Sequence, residues 1–269
     1  MSHELEYTSP TPEDLERIRP VPNMLKVSGD GAFATLQGEG LLVENGGTAG
    51  LSAVFLRLHY CNLACGLGGG WKCDTGYTWD KRRREFWQEP EDWSCEQTVK
   101  KIENEWQRVF GNTKEHERLV ITGGEPLLQQ KKILDLLQFL PQWEVEIETN
   151  GTVKPIKGLN YCQFNCSPKL ENSGNPLIKR YRPDVLRCIN SLSNSWFKFV
   201  VVTLPDLDEI EQIAEECRLD NKKILIMPEG HTSETVSSHA ESLESEIVKR
   251  GWKMALRHQL RWFGAKRRA

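Results

Sequence analysis

The sequence predicts an α/β fold, a partial and incomplete parallel β/α barrel of about six strands. Two observations predict it. Six short, apolar, β-rich runs recur at residues 52–58, 118–121, 145–148, 161–165, 197–202 and 224–227. Most are apolar on both sides of the alternation, as strands buried in parallel sheets are. Amphipathic helical patterns lie between several of them, which implies right-handed β-α-β crossovers and a parallel sheet. The stretch between the third and fourth runs is too short for a crossover helix, so the barrel is expected to be incomplete.

Taken in order, residues 1–24 form an N-terminal extension. Pro10, Pro12, Pro20 and Pro22 stand there among charges, with one helical turn expected at 13–18. Residues 25–269 form the domain. Thr35-Leu36-Gln37-Gly38-Glu39-Gly40 is polar and punctuated by glycine, as a hairpin turn is. The first run carries Arg57. An arginine in an apolar strand is expensive to bury unpaired, so it is expected to face a carboxylate of a substrate or of the protein. Ser94 and Gln97 make a capping box ahead of Val99, Ile102, Trp106 and Val109, one apolar helical face. Helical spacing returns at 129–140, at 207–219 and at 233–250, the last closed by Gly251. Residues 171–195 read as an insertion.

The chain has 269 residues, 38% hydrophobic and 27% charged, which fits a soluble globular protein. No apolar stretch approaches the roughly 20 residues that span a bilayer. The opening Met1-Ser2-His3-Glu4-Leu5-Glu6-Tyr7 is too polar for a signal peptide. A reducing cytoplasm and no membrane partner are therefore expected. The formal net charge of −3 recommends no nucleic acid. The basic runs at 81–84 and 266–268 read as solvated surface. No repeat or low-complexity tract is present.

The chemistry gathers just past the strands, where the active sites of such barrels lie. After the first run comes Cys61-Asn62-Leu63-Ala64-Cys65-Gly66-Leu67-Gly68-Gly69-Gly70-Trp71-Lys72-Cys73-Asp74-Thr75. Three thiolates on such a loop can hold three irons of a cubane cluster and leave the fourth open to a non-protein ligand. A structural zinc wants four ligands, and Cys95 or His59 can supply the fourth. Local spacing leaves both readings open. Disulfides are not expected, since the other cysteines are scattered. After the second run, Thr122-Gly123-Gly124-Glu125-Pro126 either lets the backbone approach a ligand, with Glu125 accepting from an ammonium, or makes a tight strand-to-helix turn. Thr149-Asn150-Gly151, Ser167-Pro168-Lys169 and Pro228-Glu229-Gly230 follow later runs. The Thr75 hydroxyl is a hard oxygen suited to Mg²⁺, and the Gln37 amide suits a heterocycle edge.

This ensemble resembles the radical S-adenosylmethionine superfamily and, within it, the 7-carboxy-7-deazaguanine synthases. The carrying residues are Leu36-Gln37-Gly38-Glu39-Gly40, Arg57-Leu58, Cys61 to Cys65, Cys73-Asp74-Thr75, Thr122 to Pro126, Glu148 to Gly151 and Ser167-Pro168-Lys169. The resemblance covers roughly residues 31–170. It implies a [4Fe–4S] cluster on Cys61, Cys65 and Cys73. It implies S-adenosylmethionine held by Lys72, Cys73, Asp74, Gly124, Glu125, Asn150, Ser167, Pro168, Lys169, Met227, Pro228 and Glu229. Thr75 would ligate Mg²⁺. Leu36, Gln37, Gly38, Glu39, Arg57 and Thr122 would bind 6-carboxy-5,6,7,8-tetrahydropterin, whose ring contracts with loss of ammonia after hydrogen abstraction by an adenosyl radical. A reductase or flavodoxin-type electron donor and a homodimer are implied as well. The superfamily's usual cysteine spacing is C-x3-C-x2-C, so the longer Cys65–Cys73 separation is a departure from it, although the resemblance also admits expanded cluster loops within the family. Two rival readings remain at this point: a glycyl-radical-activating enzyme, and a non-catalytic zinc-loop module.

Overall fold

The computed structural model describes residues 7, 9–40, 47–111, 116–264 and 267. Lys266 and Arg268 of the expected basic run lie outside the described residues. Among the described residues the first elements are α1 (Pro12–Arg17), one residue ahead of the expected turn, and β1 (Leu25–Leu36). Next come β2 (Ser52–Leu58), α2 (Arg84–Gln88), β3 (Glu91–Trp93), α3 (Cys95–Phe110) and β4 (Arg118–Gly123). The middle holds α4 (Gln130–Leu137), β5 (Glu144–Thr149), β6 (Gln163–Cys166), α5 (Leu177–Arg180), α6 (Pro183–Asn190) and β7 (Ser195–Val201). The chain continues through α7 (Leu204–Cys217), β8 (Ile224–Pro228), α8 (Ser233–Lys249), β9 (Lys253–Met254) and α9 (His258–Phe263).

Among the described residues the strands form one nine-stranded sheet in the order β3-β1-β2-β4-β5-β6-β7-β8-β9. The six expected runs are its parallel centre, β2 and β4 to β8. β1 pairs antiparallel with β2 and β3, and β9 extends the parallel edge. The end strands do not meet, so the barrel is open. β1 was not among the expected strands. Its Gly29, Asp30 and Gly31 interrupt the apolar alternation, and the pairing with β2 shifts register there, between Val27 and Ala32.

The alternation of the parallel strands sorts two faces. One face packs against the helices: Val54, Leu56, Leu119, Ile121, Ile147, Phe164, Phe197 and Phe199 join Ile102, Trp106, Ile133, Leu136 and Ile210 in a single buried core. The opposite face carries Arg57, Arg118, Thr122, Glu146, Glu148, Asn165 and Lys198. The expectation of strands apolar on both sides is therefore corrected for the β2–β6 part of this inner face, while at its β7–β8 end Val200, Leu225 and Met227 form a small second buried cluster with Ala255.

Local signals explain the helix positions. Ser94 Oγ accepts from the Gln97 N–H at 3.2 Å and Gln97 Oε1 accepts from the Ser94 N–H at 3.0 Å, closing the capping box. Val99, Ile102 and Trp106 face inward, but Val109 is exposed. The β5–β6 link holds only the 3-10 turn Lys157–Leu159, as its length requires. Residues 171–195 are not wholly an insertion: α6 buries Val185, Leu186 and Ile189 as the β6–β7 crossover. The extension is fastened to the barrel by Lys132, whose Nζ donates to the carbonyls of Val21 at 2.9 Å and Met24 at 2.5 Å.

Phe164 is fully buried between sheet and helices. Phe164→Ala is expected to cost about 3–5 kcal/mol, read as a lowered urea midpoint with an unchanged slope.

Candidate active site at the barrel mouth

The loop after β2 is sewn to the loop after β4. The Gly124 N–H donates to the Leu58 carbonyl at 3.2 Å, and the Glu125 N–H to the Tyr60 carbonyl at 2.7 Å. A Cβ at Gly124 would overlap the Tyr60 carbonyl. Glycine is required there by the approach of one backbone to another, which is the tight-turn reading of the motif.

Glu125 is fully buried. Its Oε1 accepts from the Leu127 N–H at 2.9 Å and the Thr149 hydroxyl at 2.8 Å, and its Oε2 from the Asn150 N–H at 2.7 Å. This carboxylate joins the β4 and β5 loops. Burial pushes its carboxyl upward, against those hydrogen bonds. Asn150 is engaged in the same way. Its Nδ2 donates to Asn62 Oδ1 at 2.9 Å and reaches Cys61 Sγ at 3.8 Å, while its Oδ1 accepts from Thr152. Lys169 Nζ is held by the Ser167 carbonyl at 2.6 Å and hydroxyl at 2.7 Å.

Cys61, Cys65 and Cys73 are free thiols on this loop. Burial pushes the Cys61 thiol up to about 12, and Glu125, Cys65 and Cys73 add to it. Burial also raises Cys65, opposed by Lys169 and by a hydrogen bond from Asn175. Thr75 donates to the Gly123 carbonyl at 3.2 Å and lies 3.4 Å from Cys73 Sγ. His59 packs edge-on against Tyr60 and tilted against Phe86, and Cys95 opens α3 against the core, so neither is turned to the loop.

The donor set fits a cluster better than zinc. A structural zinc wants four ligands, and the two further candidates, His59 and Cys95, pack against aromatic rings and the core instead. A cluster takes each thiolate on a separate iron and accepts N–H bonds at sulfur, as Asn150 and Asn175 offer here.

Below the loop, the inner face supplies charge. Thr122 Oγ1 donates to Glu148 Oε2 at 2.6 Å. Arg57 Nε lies 2.9 Å from Asp30 Oδ2, so one carboxylate that it faces belongs to the protein. Burial works against the Arg57 charge, but Tyr77, Asp30 and Glu148 outweigh it. Lys198 lies 3.4 Å from Glu39, and Glu39 and Glu148 together hold it charged against burial. Arg257 Nε donates to Glu39 at 2.8 Å and its other arm pairs with Asp74 of the cysteine loop. His231 bridges Asp74 at 3.6 Å and Glu229 at 3.5 Å.

The Gln37 amide is not turned outward as a free edge. Its Nε2 donates at 3.0 Å to the buried Glu146, which also accepts from Arg118 at 2.8 Å and Asn165 at 2.8 Å. Leu36 ends β1 half-exposed, and Gly38 receives the His258 N–H at 2.9 Å from the C-terminal α9. Met227 and Pro228 are buried at the end of β8, while Lys72 is exposed. Sequence reasoning missed Lys198 and Arg257, and named Glu148 only among the residues that carry the resemblance. Lys198 sits in Trp196-Phe197-Lys198-Phe199-Val200, where the test applied to Arg57 finds it. No local signal marks Arg257.

Burial alone would raise the Glu39 carboxyl, but Arg257 and Lys198 outweigh it and hold it well below the usual carboxylate range. A depressed carboxyl contributes stability above its unfolded value of 4.5 and loses it as pH falls toward the folded value. Urea midpoints from pH 7 to 3 should fall for the parent below about pH 4.5, and Glu39→Gln should flatten that acid limb.

No family model matches the chain. Among curated proteins, it is similar to the 7-carboxy-7-deazaguanine synthase of Rhodopirellula baltica, 30% identical over 276 residues, covering 97% of this chain and 94% of the relative. The 7-carboxy-7-deazaguanine synthase of Pyrobaculum aerophilum is 30% identical over 244 residues, covering 87% of this chain and 94% of that one. The fold is similar to that of QueE from Escherichia coli, with a TM-score of 0.63, 23% identity, 92% of this chain covered and 99% of that chain. The identity, sustained over almost the whole length of both proteins, shows that the chain belongs to the 7-carboxy-7-deazaguanine synthase family.

Proposed function

We propose that this chain converts 6-carboxy-5,6,7,8-tetrahydropterin to 7-carboxy-7-deazaguanine with loss of ammonia, as a radical S-adenosylmethionine carbon–nitrogen lyase of the 7-deazapurine pathway. One observation carries it. Three free thiols crown the mouth of an open parallel barrel, above an inner wall of Arg57, Thr122, Glu148 and Lys198.

Cys61, Cys65 and Cys73 would hold the [4Fe–4S] cluster. When bound, the cluster and S-adenosylmethionine supply one-electron cleavage of a sulfonium and abstraction of a hydrogen atom. The chain's residues do the rest. The backbone at Gly124 and the Ser167–Pro168–Lys169 loop would hold the amino-acid end of S-adenosylmethionine. Lys72, Asp74, Met227, Pro228 and Glu229 would hold the remainder. Glu125 and Asn150 act from behind, fixing the loops that present those groups.

The inner wall matches a flat, polar, anionic heterocycle. Arg57 and Lys198 are cations for its carboxylate, and Glu39 and Glu148 are acceptors for its N–H groups. Thr122 and the Leu36-Gln37-Gly38 turn complete the walls. Fixing both ends of the substrate orients the reacting carbon toward the thiol loop. Thr75 would give Mg²⁺ one hard oxygen. Mg²⁺ commonly keeps several waters and draws on substrate oxygens, so Thr75 would be one ligand among several. We further propose residues 25–269 as the catalytic domain, a reductase or flavodoxin-type electron donor, and a homodimeric assembly. No described helix is long and apolar enough to cross a membrane.

Anaerobic reconstitution followed by product analysis tests this. A brown protein with iron and sulfide should form the deazapurine, require Mg²⁺, and return its S-adenosylmethionine. Cys61→Ala, Cys65→Ala and Cys73→Ala should each lose activity by orders of magnitude. A loaded cluster with no product from the carboxypterin, or stoichiometric consumption of S-adenosylmethionine, would contradict the reading. A colourless protein holding zinc would also do so.

A further inference from the structure

The cysteine loop is braced by a second segment, and the brace ends on a sulfur. The Asn175 side chain is buried. Its Oδ1 accepts from the Ala64 N–H at 2.9 Å, which fixes the amide's orientation because only the oxygen can accept there. Its Nδ2 is thereby turned to Cys65 Sγ at 3.3 Å, with Ser173 Oγ at 3.2 Å beside it. Of the sulfur contacts, this amide lies closer than Asn150 Nδ2, which is 3.8 Å from Cys61 Sγ.

The amide is positioned by the scaffold. Arg180 Nε donates to the Asn175 carbonyl at 3.2 Å, and its Nη1 reaches Glu209 of α7 at 2.5 Å. The residues that separate Cys65 from Cys73 pack on the same segment. The Gly66 N–H donates to the Ser173 carbonyl at 2.9 Å, and Trp71 Nε1 to Asn172 Oδ1 at 3.0 Å. A Cβ at Gly70 would overlap the Asn172 carbonyl. The long cysteine loop and residues 171–175 thus form one interlocked unit.

Resting on the cluster assignment above, we propose that Asn175 is a positioning residue that sets the cluster's reduction potential through an N–H bond to the Cys65 sulfur. Reduction adds negative charge to a cluster, part of it on the thiolates. A buried N–H donor stabilises that charge and raises the potential. A pure loop brace would leave the potential alone.

EPR-monitored redox titration of the reconstituted full chain separates the two. Asn175→Asp keeps the acceptor for Ala64 but replaces the donor with an anion, and Asn175→Ala removes both. Both should hold iron and sulfide at the parental ratio with a more negative midpoint, and the aspartate should shift further. Trp71→Phe, which loosens the interlock without touching sulfur, should keep the parental midpoint. An unchanged midpoint in a loaded Asn175→Asp or Asn175→Ala overturns the inference. Failure of both variants to assemble a cluster also overturns it, because the amide then serves loop folding. A parent that assembles no [4Fe–4S] cluster counts instead against the proposed function.

Discussion

One buried carboxylate holds the mouth of this barrel together. Glu125 has no solvent around it, and its two oxygens take three donors from its own turn and from the end of β5. An unmet donor or acceptor in that position costs about 1–3 kcal/mol each, so the three bonds form as a unit. Its own N–H meets the Tyr60 carbonyl, immediately before Cys61. The β2, β4 and β5 loops are therefore one rigid rim, and the cysteines ride on it. A site that must hold a redox group against a substrate needs that rigidity more than it needs another ligand.

The rim stands over a wall whose charges are balanced within the protein. Asp30 faces Arg57, Glu39 lies between Lys198 and Arg257, and Thr122 donates to Glu148. Such pairing is what makes buried charge tolerable. It also leaves groups of both signs on one surface, which suits a polar heterocycle bearing both a carboxylate and N–H donors better than an apolar ligand. Arg257 adds a connection across the mouth, from Glu39 on the inner side to Asp74 on the cysteine loop. The C-terminal segment is thus tied to both halves of the site.

Much of the fold was legible because apolar strands and capped helices are local signals. The six central parallel strands, β2 and β4 to β8, stand within a few residues of the apolar runs that announce them, and the Ser94 box forms as its spacing requires. β1 escaped because its bulge breaks the alternation at Gly29-Asp30-Gly31. Residues 171–195 misled because the crossover helix α6 is only eight residues long, with a loop and a short helix ahead of it. The motifs located the site, but their local chemistry was harder to assign. Glu125 and Gln37 look like ligand contacts in sequence, and the fold also gives them partners of its own in Asn150 and Glu146. Arg57 was correctly expected to face a carboxylate, but Asp30 lies in the strand that escaped. Arg257 meets Glu39 across 218 positions, a distance at which pattern carries no information.

The central claim is that three cysteines, and no fourth, hold a cluster at this mouth, so that one iron stays open to a small ligand. The direct test is the EPR spectrum of the reduced, reconstituted protein before and after S-adenosylmethionine is added. The open iron predicts a changed spectrum on addition, with the cluster intact. An identical spectrum at saturating S-adenosylmethionine would mean that the cluster is fully ligated by protein, and would contradict the claim.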